Sequence, residues 1–408
     1  NMQQSVKRYR LEETADFSGF LLTVAPLLAL VNGAALAVVF ALREWAGPRL
    51  GISGVVLVLA VAVGVGRVPF LLAGQTLVAE MRSRSFAGLS VARDVAVFVA
   101  IGVGACALRD RGTPLEGALG GAVIATSGFA VVLTGWLMTR ARGGRFEWRH
   151  LRYAVAFGFP LIPSTVATSA LNVLDRFMIQ AFLGERQTAL YALAYNIGMV
   201  LSLAMGAVAQ AYLPIFTQLR RDERYEEIET TWRRFLAAIL VLAFGLVLFA
   251  HEATLILSDR SYLEGLLVVP WVVLGYLART IAALAAVYAV YQKRTWINGL
   301  GNVLAAAFNG LANWWFIPRY GYPAAAWTTF GSFLFLMLWY LVTSRVLLRE
   351  RLPGVRHWLP ALALGGGGLP LLHHLLEQVT DFGTLVAIKG AGAVVLLAVG
   401  WRVVLRRS

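Results

Sequence analysis

Five basic side chains lie inside long apolar stretches of the sequence, where a charge needs a specific reason to be present. They are Arg67, Arg93, Arg176, Arg279 and Lys389. A cation at membrane depth costs roughly 3 kcal/mol or more unless it faces partners or a water-filled cavity. Because guanidinium groups bind phosphates and carboxylates with paired hydrogen bonds, such arginines predict recognition of an anionic ligand.

The position of each cation within its stretch indicates a different role. Arg67 and Arg279 lie near the middle of their stretches and cannot easily reach the surface, so lining a cavity is favoured over a structural hydrogen bond. Arg93 is adjacent to Asp94, and an ion pair is at least as good an interpretation as a ligand contact. Lys389 is about two turns from the end of its stretch, and we expect its amine to extend to the interface.

Polar residues also follow one face of the apolar stretch that contains Arg176. The members of this stripe are Thr165, Ser169, Asn172 and Arg176, with Asp175 at its edge. At 100° per residue the four members fall within about 60° of a helix. Such a stripe either bonds to neighbouring helices or faces water, and the adjacent Asp and Arg favour a wet cavity. The candidate substrate-binding residues are Arg67, Arg93, Arg176, Arg279, Asn172 and Asp175.

Asparagines form a second stripe further along the chain. Asn298, Asn302, Asn309 and Asn313 are again confined to about 60° of a helix. Four amides facing lipid would be costly, so this face is expected to point inward. Packing and hydrogen bonding between helices are favoured over ligand contact.

Motifs for soluble-enzyme chemistry are absent from the sequence. There is no His-x-x-x-His spacing, Walker loop, Gly-x-Ser-x-Gly elbow or dinucleotide fingerprint. The single cysteine, Cys106, excludes a disulfide framework and a cysteine metal cluster. We therefore expect no metal and no cofactor, and any transport would be driven by gradients or by removal of product.

The composition identifies the elements that must hold these residues. Apolar residues make up 59% of the 408 and charged residues only 14%, which suits a chain surrounded mostly by hydrocarbon. A span needs about 20 apolar residues. The sequence predicts an all-α integral membrane protein with about twelve spans, at approximately 17–42, 52–78, 86–107, 116–138, 150–183, 188–216, 235–252, 263–290, 296–316, 322–344, 357–376 and 383–401.

The charged loops predict the orientation of the chain. With the first residues in the cytoplasm, 24 of the 36 Lys and Arg fall in cytoplasmic segments and seven in the opposite loops. This asymmetry over short loops is typical of positive-inside topology and places both termini in the cytoplasm. The net charge of +14 would suggest nucleic-acid binding in a soluble protein, but its placement in these loops argues against a nucleic-acid partner.

Four motifs in constant order resemble those of a known transporter family. They are PLIPS at 160–164 with LNVLDRF at 171–177, LYALAY at 190–195, YLPIF at 212–216, and NGLANWWFIPRYG at 309–321 followed by AAA at 324–326. Together they resemble the polysaccharide-unit (O-antigen and exopolysaccharide) flippases of the multidrug/oligosaccharidyl-lipid/polysaccharide exporter superfamily. The run VKRYRLEE at 6–13 is similar to the end of that family's second helix, which implies that twelve spans correspond to helices three to fourteen.

The resemblance implies two helical-bundle lobes around a central cavity with alternating access. The implied divisions are an incomplete N-terminal lobe of four spans (1–147), a C-terminal lobe of six spans (148–350) and an extra helix pair (351–408) that could form a groove for a lipid tail. It also implies an undecaprenyl-pyrophosphate-linked glycan as substrate, the bacterial inner membrane as location, and membrane lipids, polysaccharide polymerase and ligase as partners. The excess of intramembrane arginines over Asp94 and Asp175 suits such an anionic substrate.

Other functions remain open at this point. A lipid II flippase would share the cationic cavity. A drug exporter for cationic compounds should carry more carboxylates than arginines at depth, which is the reverse of this sequence. A membrane-embedded glycan ligase or polymerase would need a larger outer loop than any between the predicted spans. A non-transporting scaffold is disfavoured by the two polar stripes.

Overall fold

The structure is a computed structural model that describes residues 9, 16–49, 52–80, 82–158, 162–379 and 382–405. Every regular element in these residues is a helix. The contacts divide the chain into two compact units, Asn1–Ile162 and Pro163–Ser408. The lobe boundary predicted at Trp148 coincides with the start of a short helix that packs with the first unit.

Among its described residues, the first unit contains three helices long enough to span a membrane, two shorter apolar helices and one short amphipathic helix. In chain order these are α1 (Phe17–Arg49), α2 (Gly54–Gly66), α3 (Val68–Ala79), α4 (Ser83–Ala107), α5 (Pro114–Ala141) and α6 (Trp148–Gly158). Helix α1 packs against α2, α5 and α6, and α5 also contacts α3 and α4.

Helices α2 and α3 form one span with a break at Arg67. Pro69 has no N–H to donate to the carbonyl of Val65, and its ring crowds that carbonyl, so the regular helix cannot continue. The N–H of Arg67 instead bonds to the carbonyl of Gly64 at 3.2 Å, which tightens the turn. The sequence around this cation therefore puts it at a kink.

Glycines allow α4 and α5 to approach closely. A Cβ on Gly121 would lie 1.9 Å from the carbonyl oxygen of Ala100, and one on Gly117 would lie 2.1 Å from that of Gly104. Small residues are enriched where membrane helices pack backbone to backbone, because van der Waals contact holds helices together in lipid. The lack of side chains at Gly117 and Gly121 allows the backbones of α4 and α5 to touch at these positions.

The second unit contains the remaining described helices. They are α7 (Ile162–Leu183), α8 (Glu185–Arg221), α9 (Tyr225–Leu248), α10 (Ala250–Leu257), α11 (Val269–Tyr291), α12 (Trp296–Tyr320), α13 (Pro323–Val346), α14 (Leu359–Gln378) and α15 (Phe382–Leu405). Helix α11 is the centre of this unit and packs against α8, α9, α13 and α14. Its residues are apolar around almost the whole circumference, as expected for a helix enclosed by others.

Nine helical segments in the described residues are long and apolar enough to cross a membrane. Helices α7 and α12 occupy predicted spans and are long enough to cross, but their polar stripes make them less apolar than the nine. The apolar part of α15 among the described residues, Val386–Leu396, is shorter than a span. Each of the twelve predicted stretches is helical over most of its described residues. The protein is an all-α, multi-pass membrane protein, whereas the side on which its termini lie stays a prediction.

The single span predicted at 150–183 is wrong in one respect, because two helices occupy it. Helix α6 has eleven residues, too few to cross a membrane, and carries Arg149 and Arg152. Helix α7 begins at Ile162, with Pro163 in its first turn. The predicted PLIPS motif overlaps residues 159–161, which lie outside the described residues.

Candidate functional site

Three of the predicted site residues meet inside the second unit. Asn172 and Arg176 are one turn apart on α7, and Arg279 lies in the middle of α11. The Arg279 guanidinium donates from Nη1 to Oδ1 of Asn172 at 3.0 Å. The Arg176 guanidinium donates from Nη2 to Oδ1 of Asn196 on α8 at 2.9 Å. Two arginines from different helices are thus oriented by amide oxygens.

Aromatic rings surround both guanidinium groups. The Arg279 guanidinium carbon is 4.7 Å from the ring centroid of Phe333, and that of Arg176 is 5.0 Å from the ring centroid of Tyr195. The hydroxyls of Tyr195 and Tyr276 are 3.2 Å apart. Cation–π contact and hydrogen bonding stabilise each guanidinium without cancelling its charge. Within the described residues, neither arginine forms an ion pair with a carboxylate.

Asp175 does not neutralise the neighbouring arginine. Its side chain is 1% exposed and accepts a hydrogen bond from the Tyr191 hydroxyl and one of 2.8 Å from the backbone N–H of Arg176. The predicted Asp-Arg pair is therefore joined through the backbone. The Nε atom of Arg176 is buried with no hydrogen-bond partner, so this guanidinium retains an unused donor.

The asparagine stripe of α12 bonds to neighbouring helices, which confirms the interpretation from its spacing. Asn309 donates to Thr329 at 3.4 Å, and Asn313 donates to Asn309 at 3.0 Å. Asn313 also accepts from Thr328, and Asn302 donates to Ser164 at 3.3 Å. A buried amide in a membrane helix is stabilised by such partners.

Arg67 and Arg93 belong to the first unit. Arg67 is exposed at the break between α2 and α3. An apolar cavity of about 630 Å³ is lined by the residues on either side of it but not by Arg67 itself. Arg93 forms an ion pair with Asp94, and its guanidinium lies 4.2 Å from the ring centroid of Phe70. A substrate contact stays a prediction for both.

Lys389 departs from its predicted role. Its side chain is 9% exposed and forms an ion pair with Glu252 on α10, so the prediction that it extends to the interface is wrong. The physical reason is that α15 packs against α9, beside α10, which places a carboxylate within reach of the amine. The spacing of residues within α15 alone carries no sign of this partner.

Several residues of the site are not among those predicted from the sequence. Tyr191, Tyr195 and Asn196 follow each other on α8 at helical spacing, and Tyr276 is three residues before Arg279. The segment 190–195 contributed only to the family resemblance. Hydroxyl and amide groups four and five residues apart on an apolar helix nevertheless indicate an inward polar face, as the stripe on α7 does. Phe333 had no such signal, because a phenylalanine in an apolar helix is ordinary.

One group of described residues has the composition of a metal site. Ligand atoms of Asp16, Glu147 and His150 lie within 4.8 Å of one another. The Arg149 guanidinium already contacts both carboxylates, at 2.5 Å to Glu147 and 3.4 Å to Asp16. Arg149 thus compensates part of the negative charge of the two carboxylates, and the arrangement joins α6 to the start of α1.

Comparisons with known proteins agree with the motifs. Residues 27–265 match the family model described as "Polysaccharide biosynthesis protein". No curated protein matches the chain. Among solved structures, the chain is similar to "Lipid II flippase MurJ, inward closed conformation", with a TM-score of 0.74 and 13% identity over 99% of this chain and 89% of that chain. At this identity the likeness shows a shared fold. Since the family match spans more than half of the sequence, the chain belongs to the polysaccharide biosynthesis protein family.

Proposed function

We propose that the protein flips an undecaprenyl-pyrophosphate-linked oligosaccharide across the bacterial inner membrane by alternating access. The observation that carries the proposal is the pair Arg176 and Arg279, which lie inside apolar helices and are held by amide oxygens. Keeping two guanidinium groups charged in that environment is costly and is useful for an anionic ligand. A pyrophosphate offers the oxygens that such groups bind best.

The family and the fold support the same proposal. Members of the matched family are described as polysaccharide biosynthesis proteins, and the similar solved structure is named as a flippase of a lipid-linked sugar. In this proposal the protein is a transporter, its substrate comes from cytoplasmic glycan assembly, and polymerase and ligase enzymes act on the flipped product. The predicted cytoplasmic termini belong to the same proposal.

Binding of undecaprenyl pyrophosphate to the purified protein tests the charge argument directly. We expect Arg176→Ala and Arg279→Ala each to weaken binding about tenfold or more, as measured by native mass spectrometry, because each removes a charge-assisted contact of about 1.5–3 kcal/mol. The matched control is Arg345→Ala, which removes an exposed arginine at the end of α13. Equal binding by all three variants and the unmodified protein would refute the proposed site.

Lipid II flipping is the second candidate, favoured by the fold of the similar structure. The two functions share the pyrophosphate carrier and differ in the sugar. Restoration of surface polysaccharide in a flippase-deficient strain would support the first function, and restoration of growth after depletion of the lipid II flippase would support the second. Undecaprenyl phosphate, which has one phosphate fewer than the pyrophosphate carrier, is a binding control for both candidate functions.

A further inference from the structure

A polar cavity lies in the second unit, away from the arginines of α7 and α11. Its volume is about 550 Å³. It is formed by the first turns of α9 and by the segment that joins α13 to α14. Three arginines line it, namely Arg233, Arg351 and Arg356. The proposed transport function uses none of them.

Two of these guanidinium groups have only neutral partners in the described residues. Arg351 lies over the ring of Tyr225, 5.3 Å from its centroid. Arg233 donates to Oγ1 of Thr230 at 3.3 Å. Neither forms an ion pair with a described carboxylate, so both remain able to bind an anion.

The carboxylates of the cavity are placed where they compete little with an anion. Glu229 is 3.0 Å from Nε2 of His357 and 3.9 Å from Arg356. Glu226 lies in the first turn of α9, where a negative charge interacts favourably with the helix terminus. Three guanidinium groups and two carboxylates line the cavity, so its formal net charge is +1. The two guanidinium groups without an ion-pair partner in the described residues are those of Arg233 and Arg351.

The cavity wall is held in place by buried polar contacts. Glu350 accepts from Arg220 at 2.9 Å and from Gln292 at 2.7 Å, and its side chain is 4% exposed. These contacts fix the backbone next to Arg351. His357 lines the cavity and is 9% exposed. Its Nδ1 atom has no hydrogen-bond partner among the described residues. A buried nitrogen without a protein partner is uncommon, and a water molecule or a ligand in the cavity would supply one.

The position of the cavity along the helices indicates which anion it takes. Helix α9 is charged in its first turns and apolar from Phe235 onward, and α14 begins at Leu359, two residues after His357. The cavity therefore lies where two apolar helices begin, at the level of lipid headgroups. Loop charge predicts that this is the cytoplasmic face, and basic pockets between helices on that face suit anionic headgroups.

We infer that this cavity binds the phosphate of an anionic membrane lipid through Arg233 and Arg351. The phosphodiester oxygens accept hydrogen bonds from the two guanidinium groups, and the acyl chains lie along the apolar surfaces of α9 and α14. The chemistry that recognises the ligand is a phosphate group. The position at the start of two apolar helices favours a lipid over free phosphate.

The test is lipid binding to the delipidated full chain in detergent, with phosphatidylglycerol as probe. We expect Arg233→Gln/Arg351→Gln to weaken binding about tenfold or more by native mass spectrometry. The matched double control is Arg221→Ala/Arg345→Ala, which removes two exposed arginines outside the cavity. Arg233→Lys/Arg351→Lys, which keeps the charge, should retain part of the affinity. Thermal unfolding of each variant shows whether it is folded.

Two results would overturn the inference. The first is equal phosphatidylglycerol binding by the folded glutamine variant and the unmodified protein. The second is binding of millimolar inorganic phosphate in this cavity with no retention of phosphatidylglycerol, which would assign the site to free phosphate. Zwitterionic phosphatidylcholine, whose choline cation offsets the phosphate charge, should bind more weakly than phosphatidylglycerol and lose less affinity in the glutamine variant. Restoration of surface polysaccharide in a flippase-deficient strain should be unchanged in the glutamine variant, which separates this inference from the proposed transport site.

Discussion

Arg279 on α11 donates a hydrogen bond of 3.0 Å to the amide oxygen of Asn172 on α7, across 107 positions of the chain. Arg176, one turn after Asn172, bonds to the amide oxygen of Asn196. An amide orients a guanidinium without neutralising it. The second unit therefore carries two oriented positive charges among apolar helices, and this arrangement suits the binding of an anion.

Asn172→Asp should weaken binding of undecaprenyl pyrophosphate, although it barely changes the size of the side chain. The new carboxylate would form an ion pair with Arg279 and cancel the charge that attracts the substrate. Native mass spectrometry with undecaprenyl pyrophosphate measures the loss, which we expect to be about tenfold or more. Asn172→Gln is the matched control and keeps an amide. Binding by the Asp variant at the level of the Gln variant would contradict the role of charge.

Tyr191→Phe should destabilise the second unit by about 1–3 kcal/mol, because Asp175 is buried and would lose a hydrogen-bond donor. Asp175 accepts from Tyr191 on one oxygen and from the N–H of Arg176 on the other, so Asp175→Asn keeps one acceptor and presents an NH2 group that can donate to the tyrosine oxygen. Its Tm in detergent should fall less than that of Tyr191→Phe. Tyr320→Phe is the control, since that residue is 58% exposed. The same fall in Tm for both Tyr→Phe variants would show that the buried contact is unimportant.

Gly121→Ala should lower the stability of the first unit by about 1–3 kcal/mol, because the added methyl group would meet the backbone of Ala100 at 1.9 Å. Gly120→Ala is a control at the adjacent position, where an added Cβ meets nothing within 4 Å. Alanine is the better helix former, so this variant should unfold at an equal or higher temperature. Thermal unfolding in detergent separates the two, and an equal loss in both would argue against close packing of α4 and α5.

Glu252→Gln should destabilise the protein more than Lys389→Met. The lysine side chain is 9% exposed and the glutamate side chain 41%, so the first change leaves the more enclosed of the two charges unpaired. The double variant should recover part of the loss from Glu252→Gln. The Tm of the three proteins gives the order, and the reverse order would show that Lys389 reaches water without its partner.

Much of the fold follows from local sequence. The apolar stretches predict helices because each hydrocarbon span must satisfy its own backbone hydrogen bonds. The spacing of Asn298, Asn302, Asn309 and Asn313 predicts an inward face, which their hydrogen bonds confirm. The stretch 150–183 was wrongly predicted as a single span. Helix α6 is short and amphipathic and α7 carries a polar stripe, so the apolarity of the whole stretch does not show the boundary between them.

The partners of the charged side chains could not be obtained in this way. Helical periodicity shows which residues of one helix share a face, but it carries no information about which face of another helix meets it. Asp175 appeared to pair with Arg176, its neighbour in the chain, whereas its side-chain partner is Tyr191 on the next helix. Lys389 appeared free to extend toward water, whereas its partner lies 137 positions away.

The sequence by itself determined that this is a helical membrane protein, which stretches form its helices, and that arginines lie within them. These properties depend on composition and on regular spacing along one helix, which the chain carries locally. Only the tertiary structure decided that Asn172 meets Arg279 and that Asp175 is satisfied by Tyr191. Those pairings depend on the crossing and rotation of separate helices. The crossing angles and rotations of these helices result from the packing of all the helices in the second unit.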